Sequence, residues 1–309
     1  PMPFVTKKLH SPIRQQALSF LMNELGYSRS EAQRLITRGR ISQNGTVMNE
    51  QFGYIEEGDF EFICFEPLSY GFKPMFVAND FVVYDKPNGL CVHPNSRKSG
   101  YSLNDEIKHL YGNEANATHR IDQETSGLVL VSLNKNSEAV LKRLFSERRI
   151  TKRYLAMVKG HLKEPLDINE PLLRNDHPNL LVSMVVKVDS AGKVSRTLIK
   201  PLRYFPESDT TLVEASPLTG RTHQIRVHLF HVKHPIVGDP VYGQDQADIE
   251  RYIRKELSRE EIYQKSGATR LLLHAHTLEF EYSGISYRII SERDFGAECL
   301  EAMKINPRI

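Results

Sequence analysis

Cysteine is scarce in this chain of 309 residues: Cys64, Cys91 and Cys299 stand far apart and form no CxxC pair. An odd, scattered set of this kind argues against a disulfide framework or a zinc ribbon and suits a reducing cytoplasm, where the chain is expected to reside. Long apolar runs are missing too. No segment approaches the roughly 18 uninterrupted apolar residues of a spanning helix, and the opening Pro1-Met2-Pro3-Phe4 has no signal-peptide core, so no membrane partner is expected. The chain has no internal repeat and no low-complexity tract. Neither common glycine-rich phosphate loop occurs, which leaves no sign of a nucleotide cofactor. A large surplus of one charge is also lacking, since 41 basic against 38 acidic side chains give +3. A polyanionic partner must therefore be argued from local clusters rather than from the average. With 40% hydrophobic and 26% charged residues, the composition is that of a soluble globular protein of one large or two ordinary domains.

What is present begins with two helical patterns. Ala17, Leu18, Leu21, Met22 and Leu25 predict a helix over 11–26, with Gly26 at its stop. Ser28 and Glu31 form a capping-box pattern opening a second helix, whose Leu35 and Ile36 face inward and which Gly39 ends. Asn44-Gly45 then signals a type I′ hairpin turn, because both central residues there must take positive φ. A strand near 60–65 closes the unit. Between residues 14 and 45 five arginines (Arg14, Arg29, Arg34, Arg38, Arg40) face two glutamates, and Arg34 and Arg38 at i, i+4 share a face. That face is either simply solvated or a grip on phosphate. The order Ser28-Arg29-Ser30, Leu35-Ile36, Gly39, Ile41, Asn44-Gly45 and Gly58-Asp59 resembles the small αL-type RNA-binding domain first described in a ribosomal small-subunit protein. The resemblance implies such a domain over residues 11–66, binding structured RNA through its second helix and the loop after it, with Arg29, Arg34 and Arg38 as contacts.

Residues 67–74, with two prolines and two aromatics, read as a linker. Strand signals dominate beyond it, at 76–84, 127–133, 154–158, 180–188, 210–215 and 271–282, with candidate helices at 102–111, 137–148, 222–232 and 248–264. Strand-rich order with scattered helices predicts an α+β domain on a mixed, mainly antiparallel sheet rather than a doubly wound fold.

Four segments concentrate chemistry. The first, Lys86-Pro87-Asn88-Gly89-Leu90-Cys91-Val92-His93-Pro94, has a backbone fixed by two prolines and a glycine, as in any rigid loop. The second, His119-Arg120-Ile121-Asp122-Gln123-Glu124-Thr125-Ser126-Gly127, crowds two carboxylates, a guanidinium and an imidazole before an apolar strand. Asp122 there is either a structural acceptor, bonded to Thr125 or paired with an arginine, or a reacting group. Ser126 is a weak hydrolase nucleophile, because no Gly-x-Ser-x-Gly elbow surrounds it. In the third, Lys142, Arg143, Arg148, Arg149, Lys152 and Arg153 meet only Glu147, a pattern that favours phosphate binding over a neutral solvated face. Tyr154 follows, as a core aromatic or a platform on which a base stacks. The fourth runs through Gly220-Arg221-Thr222-His223-Gln224-Ile225-Arg226-Val227-His228 to His234-Pro235-Ile236-Val237-Gly238-Asp239-Pro240-Val241-Tyr242-Gly243, with Thr222 as the expected helix N-cap. His228 and His231 at i, i+3 lack a matching third ligand, so no metal site is expected.

In this order, and with Leu271-Leu272-Leu273-His274-Ala275 and Gly192-Lys193-Val194-Ser195-Arg196-Thr197, the segments resemble the RluA-type pseudouridine synthase family over roughly residues 75–290. Ile121 stands where leucine is usual, Gln123 where a basic residue is, and Lys233 where glycine would supply an αL helix end. The charged stretch 244–267 reads as an inserted helix. The resemblance implies a catalytic domain over 75–309 that converts uridine in RNA to pseudouridine without metal or organic cofactor. By the same resemblance, Asp122 is the catalytic aspartate, attacking the nucleoside or abstracting a ribose proton, and Arg226 pairs with it. Arg120 fills the gap left by a flipped uridine, and Tyr154 packs on the uracil. His119, Thr125 and Arg221 orient the loop or the phosphates, while Arg148, Arg149, Lys152 and Arg153 hold the RNA backbone. The expected RNA is large-subunit rRNA, with tRNA as the second choice, and a monomer is expected. The rival class is an RNA-binding protein that kept the fold and lost activity; the presence of both Asp122 and Arg226 speaks against it.

Overall fold

A computed structural model of the chain describes residues 2–174 and 185–304. The chain divides into two compact units, Pro1–Tyr70 with Pro94–His109, and Gly71–His93 with Leu110–Ile309.

In the first unit the helices Ala17–Asn23 and Arg29–Thr37 cover a four-stranded antiparallel sheet ordered Phe4–Ser11, Gly58–Phe65, Ile41–Gln43, Thr46–Met48. Leu18, Leu21, Ala32 and Ile36 from the helices meet Ile41, Phe60 and Phe62 from the sheet in one apolar core. The capping box is made: the Glu31 N–H reaches Ser28 Oγ and the Ser28 N–H reaches Glu31 Oε2. Asn44 and Gly45 take φ of 51° and 77°, as the tight hairpin requires. The expected helix over 11–26 is corrected to Ala17–Asn23, because Phe4–Ser11 runs as a strand along Gly58–Phe65 and Gln15–Gln16 pairs with Tyr54–Ile55. That first strand hides in the sequence because it is a charged edge. Its Lys7 pairs with Glu66, and Lys8 and His10 with Asp59, where apolar alternation would otherwise show.

The second unit is built on a ten-stranded mixed sheet, mainly antiparallel. Eight strands follow the order Leu166–Ile168, Thr197–Phe205, Thr210–Pro217, Thr151–Lys159, Leu273–Tyr282, Ser126–Ser132, Phe81–Lys86, Phe76–Val77, with Ile285–Ile290 and Asn116–Ala117 paired alongside. The strand Ser126–Ser132 is buried at every position, antiparallel to Phe81–Lys86 and parallel to Leu273–Tyr282 at Ser126↔His274 and Gly127↔Ala275. Helix Lys135–Ser146 gives Leu141 and Leu144 to a cluster with Phe81, Leu128, Leu130 and Phe280. Helices Gln224–His231 and Phe295–Lys304 give Leu229 and Phe295 to another with Ala156, Met157, Val158 and Val213.

Local differences from the sequence expectations have physical causes. The inserted stretch forms two helices rather than one, Gln246–Ile253 and Arg259–Ser266, since Ser258 and Glu261 make a second capping box after a break at Lys255 (φ 61°). The N-cap of Gln224–His231 is His223, not Thr222, and His223 sits in the left-handed region at φ 54° with no side-chain cap bond. Lys233 itself adopts the left-handed conformation (φ 66°). The helix end therefore closes without glycine, with the His234 N–H on Leu229 O and the Lys233 N–H on Phe230 O. Of the strand expected at 180–188, residues 180–184 lie outside the described residues, and Val186–Val188 pairs with Leu172–Arg174. The long strand Thr197–Phe205, the strand Ile285–Ile290 and the terminal helix Phe295–Lys304 were not anticipated.

Gly127 shows how closely the central strands approach. It takes φ 113°, and a Cβ there would lie 2.2 Å from Ala275 O. Gly127→Ala should therefore destabilise the protein by about 3 kcal/mol or more. Gly296→Ala, in a helix where the added methyl meets only Asp294 Oδ1 at 3.5 Å, should be neutral or slightly stabilising. Thermal unfolding of the two variants checks the contrast, and equal melting temperatures would refute it.

Candidate active site

The loop 119–125 leads into the strand Ser126–Ser132 and is clamped to the segment 86–89. Buried Lys86 donates through Nζ to Gln123 O (3.2 Å) and Pro87 O (3.0 Å). The Gly89 N–H also reaches Gln123 O, Gln123 Nε2 donates back to Gly89 O (3.0 Å), and Asn88 Nδ2 donates to Glu124 O. The Thr125 N–H closes a turn on Asp122 O. The loop's own backbone bonds and a buried ammonium thus fix where the Asp122 carboxylate emerges.

It emerges against Arg226, on the buried face of helix Gln224–His231. Arg226 is 2% exposed and bidentate to Asp239, with Nε to Oδ2 at 2.8 Å and Nη2 to Oδ1 at 2.9 Å. Asp239, 1% exposed, also accepts the N–H groups of Val241 and Tyr242. The remaining guanidinium nitrogen, Nη1, lies 3.4 Å from Asp122 Oδ2 and 4.0 Å from Glu124 Oε2. Burial works against the Arg226 charge, but the Asp239 carboxylate outweighs it and holds the pKa well above the ordinary value. Around this centre, the Arg226 guanidinium lies over the Tyr242 ring. The Tyr242 hydroxyl accepts the Val186 N–H and is 2.8 Å from His223 Nδ1. His223 Nε2 is 3.9 Å from Asp122 Oδ2. Burial, with the Arg226 charge added, pushes the His223 pKa down, so the imidazole is neutral near pH 7.

Tyr154 is partly buried beside a bulge between Arg153 and Tyr154, which re-aims the strand at that point. Burial, with the Asp122 charge added, pushes its phenol above the usual value. Tyr154 is therefore a neutral hydroxyl within electrostatic reach of Asp122. Asp122 itself is 26% exposed, open enough to meet a ligand and still held by Arg226.

The structure brings Asp122 and Arg226 together, puts Tyr154 within electrostatic reach of Asp122 and distributes the other expected contacts. Arg120, Arg148 and Arg221 are exposed; Arg221 Nε donates to Val194 O (3.4 Å), and Arg149 lies 3.7 Å from Glu147. Lys152 is partly buried, and burial lowers its pKa. Arg153 forms a bidentate pair with Glu279 on the neighbouring strand (2.8 and 3.1 Å). Thr125 is 2% exposed and serves the turn rather than a phosphate. His119 accepts the Leu130 N–H through Nε2 (2.9 Å) and lies against Phe145; burial pushes its pKa to about 3, which makes it a neutral fixture of the loop. Arg29, Arg34 and Arg38 are exposed in the first unit. Ser126 is fully buried between His274 Nδ1 and Arg270 Nη1, so it is closed to substrate. His228 engages Thr197 Oγ1 and Glu170 O with its two ring nitrogens. Sequence reasoning missed Glu124, Asp239, His223 and Tyr242 as members of the cluster, although all four stand in the segments it singled out. It also missed Tyr252, whose hydroxyl donates to Glu124 Oε1 (2.9 Å) and which no motif marks.

The family model described as RNA pseudouridylate synthase matches residues 80–231. An RNA pseudouridine synthase of Helicobacter pylori strain J99, named as uncharacterized, is 38% identical over 291 residues, 94% of this chain and 96% of its own. The ribosomal large subunit pseudouridine synthase D of Buchnera aphidicola from Acyrthosiphon pisum is 32% identical over 282 residues, 86% of this chain and 87% of its own. Among solved structures, human RNA pseudouridylate synthase domain containing 1 superposes with a TM-score of 0.57 at 26% identity, over 74% of this chain and 86% of that one.

Lys86 supplies a pH test of the clamp. Burial lowers its pKa from 10.5 to about 8 in the folded protein. Between those values the unfolded chain binds the proton and the folded one does not, so stability rises with pH across that window. Below pH 8 the full penalty, about 3 kcal/mol, is present. Denaturant unfolding of wild type and Lys86→Met at pH 7 and pH 10 should show the wild type gaining on the variant by about 2 kcal/mol at the higher pH. A difference independent of pH would refute the buried charge.

Proposed function

The chain belongs to the RNA pseudouridylate synthase family and is of the RluA type, and from that premise we propose that it isomerises uridine in large-subunit ribosomal RNA with Asp122 as the reacting carboxylate. The observation that carries this reading is the sharing of Arg226: two of its nitrogens are locked on Asp239, and the third lies 3.4 Å from a partly exposed Asp122. A carboxylate withdrawn from water must be paired to stay ionised, and ionisation is needed whether Asp122 attacks the nucleoside or removes a ribose proton. The reaction breaks the C1′–N1 bond, turns the uracil and forms C1′–C5; the proton lost from C5 is balanced by one gained at N1. A neutral Tyr154 phenol beside Asp122 suits a group that packs on the uracil and passes that proton. The target nucleotide must leave the helix to reach these groups. Arg120, exposed and without an ion-pair partner among the described residues, stands two residues before Asp122, where it would fill the gap. Arg148, Arg149, Lys152 and Arg221 would hold phosphates, and the first unit would add a tethered contact through Arg29, Arg34 and Arg38 that raises effective concentration. The ribosomal choice leans on the name of the Buchnera relative and on the αL-like order of the first unit.

Two experiments test this. Wild-type protein should release tritium from rRNA labelled at uridine C5, and Asp122→Asn should lose more than about a thousand-fold in rate while still binding. Release from tRNA transcripts alone would overturn the ribosomal target, and unchanged release by Asp122→Asn would overturn the site. Arg34→Ala with Arg38→Ala should weaken RNA binding and reduce the salt slope of log K by about 2, one per lost phosphate contact. An unchanged slope would remove the first unit's second helix from the RNA interface.

A further inference from the structure

The inserted helices Gln246–Ile253 and Arg259–Ser266 are tied together by Arg251 with Glu261 (2.7 Å) and by Lys265 with the buried carboxylate of Asp248 (2.6 Å). Ile249 and Tyr252, one turn apart, pack on the cluster of Val227, Val241 and Tyr242 that lies beneath Arg226. From there the Tyr252 hydroxyl donates to Glu124 Oε1 (2.9 Å). The other oxygen of the same carboxylate, Oε2, is 4.0 Å from Arg226 Nη1, the nitrogen that lies 3.4 Å from Asp122. Two carboxylates thus face the same Nη1 of a guanidinium whose Nε–H and one Nη2–H are committed to Asp239.

We propose that Tyr252 is a positioning residue for the isomerisation: by bonding Glu124 it holds that carboxylate off Arg226 and reserves Nη1 for Asp122. The proposal rests on the reading of Asp122 as the reacting carboxylate. A half-buried carboxylate that loses a donor takes the nearest replacement, because leaving it unsatisfied costs more than reorienting it. For Glu124 the nearest cation is Arg226 Nη1. Once Glu124 draws Nη1 to itself, Asp122 shares its counter-ion with a like charge instead of holding it alone. The insertion, which has no counterpart among the motif segments, in this way enters the reaction through a single hydroxyl.

The test is a double-mutant cycle read by tritium release from C5-labelled rRNA, with kcat and KM measured separately for wild type, Tyr252→Phe, Glu124→Gln and the double variant. Phenylalanine keeps the ring on the cluster of Val227, Val241 and Tyr242 and removes only the donor. Tyr252→Phe should lower kcat about ten-fold with KM within about two-fold, since the RNA contacts lie elsewhere. In the Glu124→Gln background the same change should alter kcat by less than about two-fold, because a carboxamide has no charge with which to draw the guanidinium. An equal loss of kcat in both backgrounds would show that Tyr252 acts by packing, and no loss in either would show that it does not act; each overturns the proposal. Release by wild type that Asp122→Asn abolishes establishes the underlying reading independently, so its failure is told apart from the failure of the Tyr252 role.

Discussion

The bidentate pair of Arg226 and Asp239 is the interaction on which the site is assembled. It joins helix Gln224–His231 to the turn at 239–243, and the turn's own N–H groups complete the satisfaction of Asp239. A guanidinium 2% exposed is tolerable only because its charge is compensated at hydrogen-bond distance; deleting one partner would leave the other buried and uncompensated. With the guanidinium fixed from one side, its free nitrogen becomes a rigid anchor for whatever carboxylate the loop 119–125 presents. The loop is held independently by Lys86 and Gly89, so Asp122 is located by two constraints that meet at one atom.

Three carboxylates, Asp122, Glu124 and Asp239, surround Arg226, which leaves the centre with an excess of negative charge that buried Lys86, behind the loop, partly offsets. RNA is itself a polyanion, so its approach depends on cations at greater distance. The basic run after helix Lys135–Ser146 divides accordingly. Arg153, joined by Arg288, is neutralised on Glu279 and serves the sheet. Arg148, just past the helix end at φ 58°, is exposed, and Arg149 makes a long contact with Glu147 (3.7 Å). A count of charges along the sequence cannot separate these roles, because strand pairing decides which cation meets a carboxylate.

Elements with a local cause were legible. The Ser28–Glu31 box, the Asn44-Gly45 turn and the apolar strand at 126–132 each follow from residues adjacent in the chain, and each stands within a residue or two of its expected place. So was the meeting of Asp122 with Arg226, because the motif resemblance carried both residues. Elements fixed by partners distant in sequence were not. Phe4–Ser11 is a strand because Gly58–Phe65 offers it a ladder, and its charges pair across that edge. Lys233 takes a glycine's conformation because the His234–Leu229 bond closes the helix there. Tyr252 belongs to the site through folding of an insertion whose sequence, read alone, is a charged helix.

The sheet explains why these groups converge at one level. Reading across five neighbouring strands, Lys86 pairs with Gly127, Gly127 with Ala275, and Ala275 with Tyr154, which pairs in turn with Ala215. Directly paired residues share a face, and strands are spaced by about 4.8 Å, so Lys86 and Tyr154 are roughly 14 Å apart on one row. Between them the row carries no more than a methyl group. The parallel pairing at Gly127 and Ala275 excludes anything larger at the first position, since a Cβ there would strike Ala275 O. A long cation at one end of a low floor secures the loop that bears Asp122, and a phenol at the other end stands within reach of its charge. The bulge before Tyr154 matters for the same reason: the strand skips a partner between Thr277 and Ala275, and that skip brings the tyrosine, rather than Leu155, into the row.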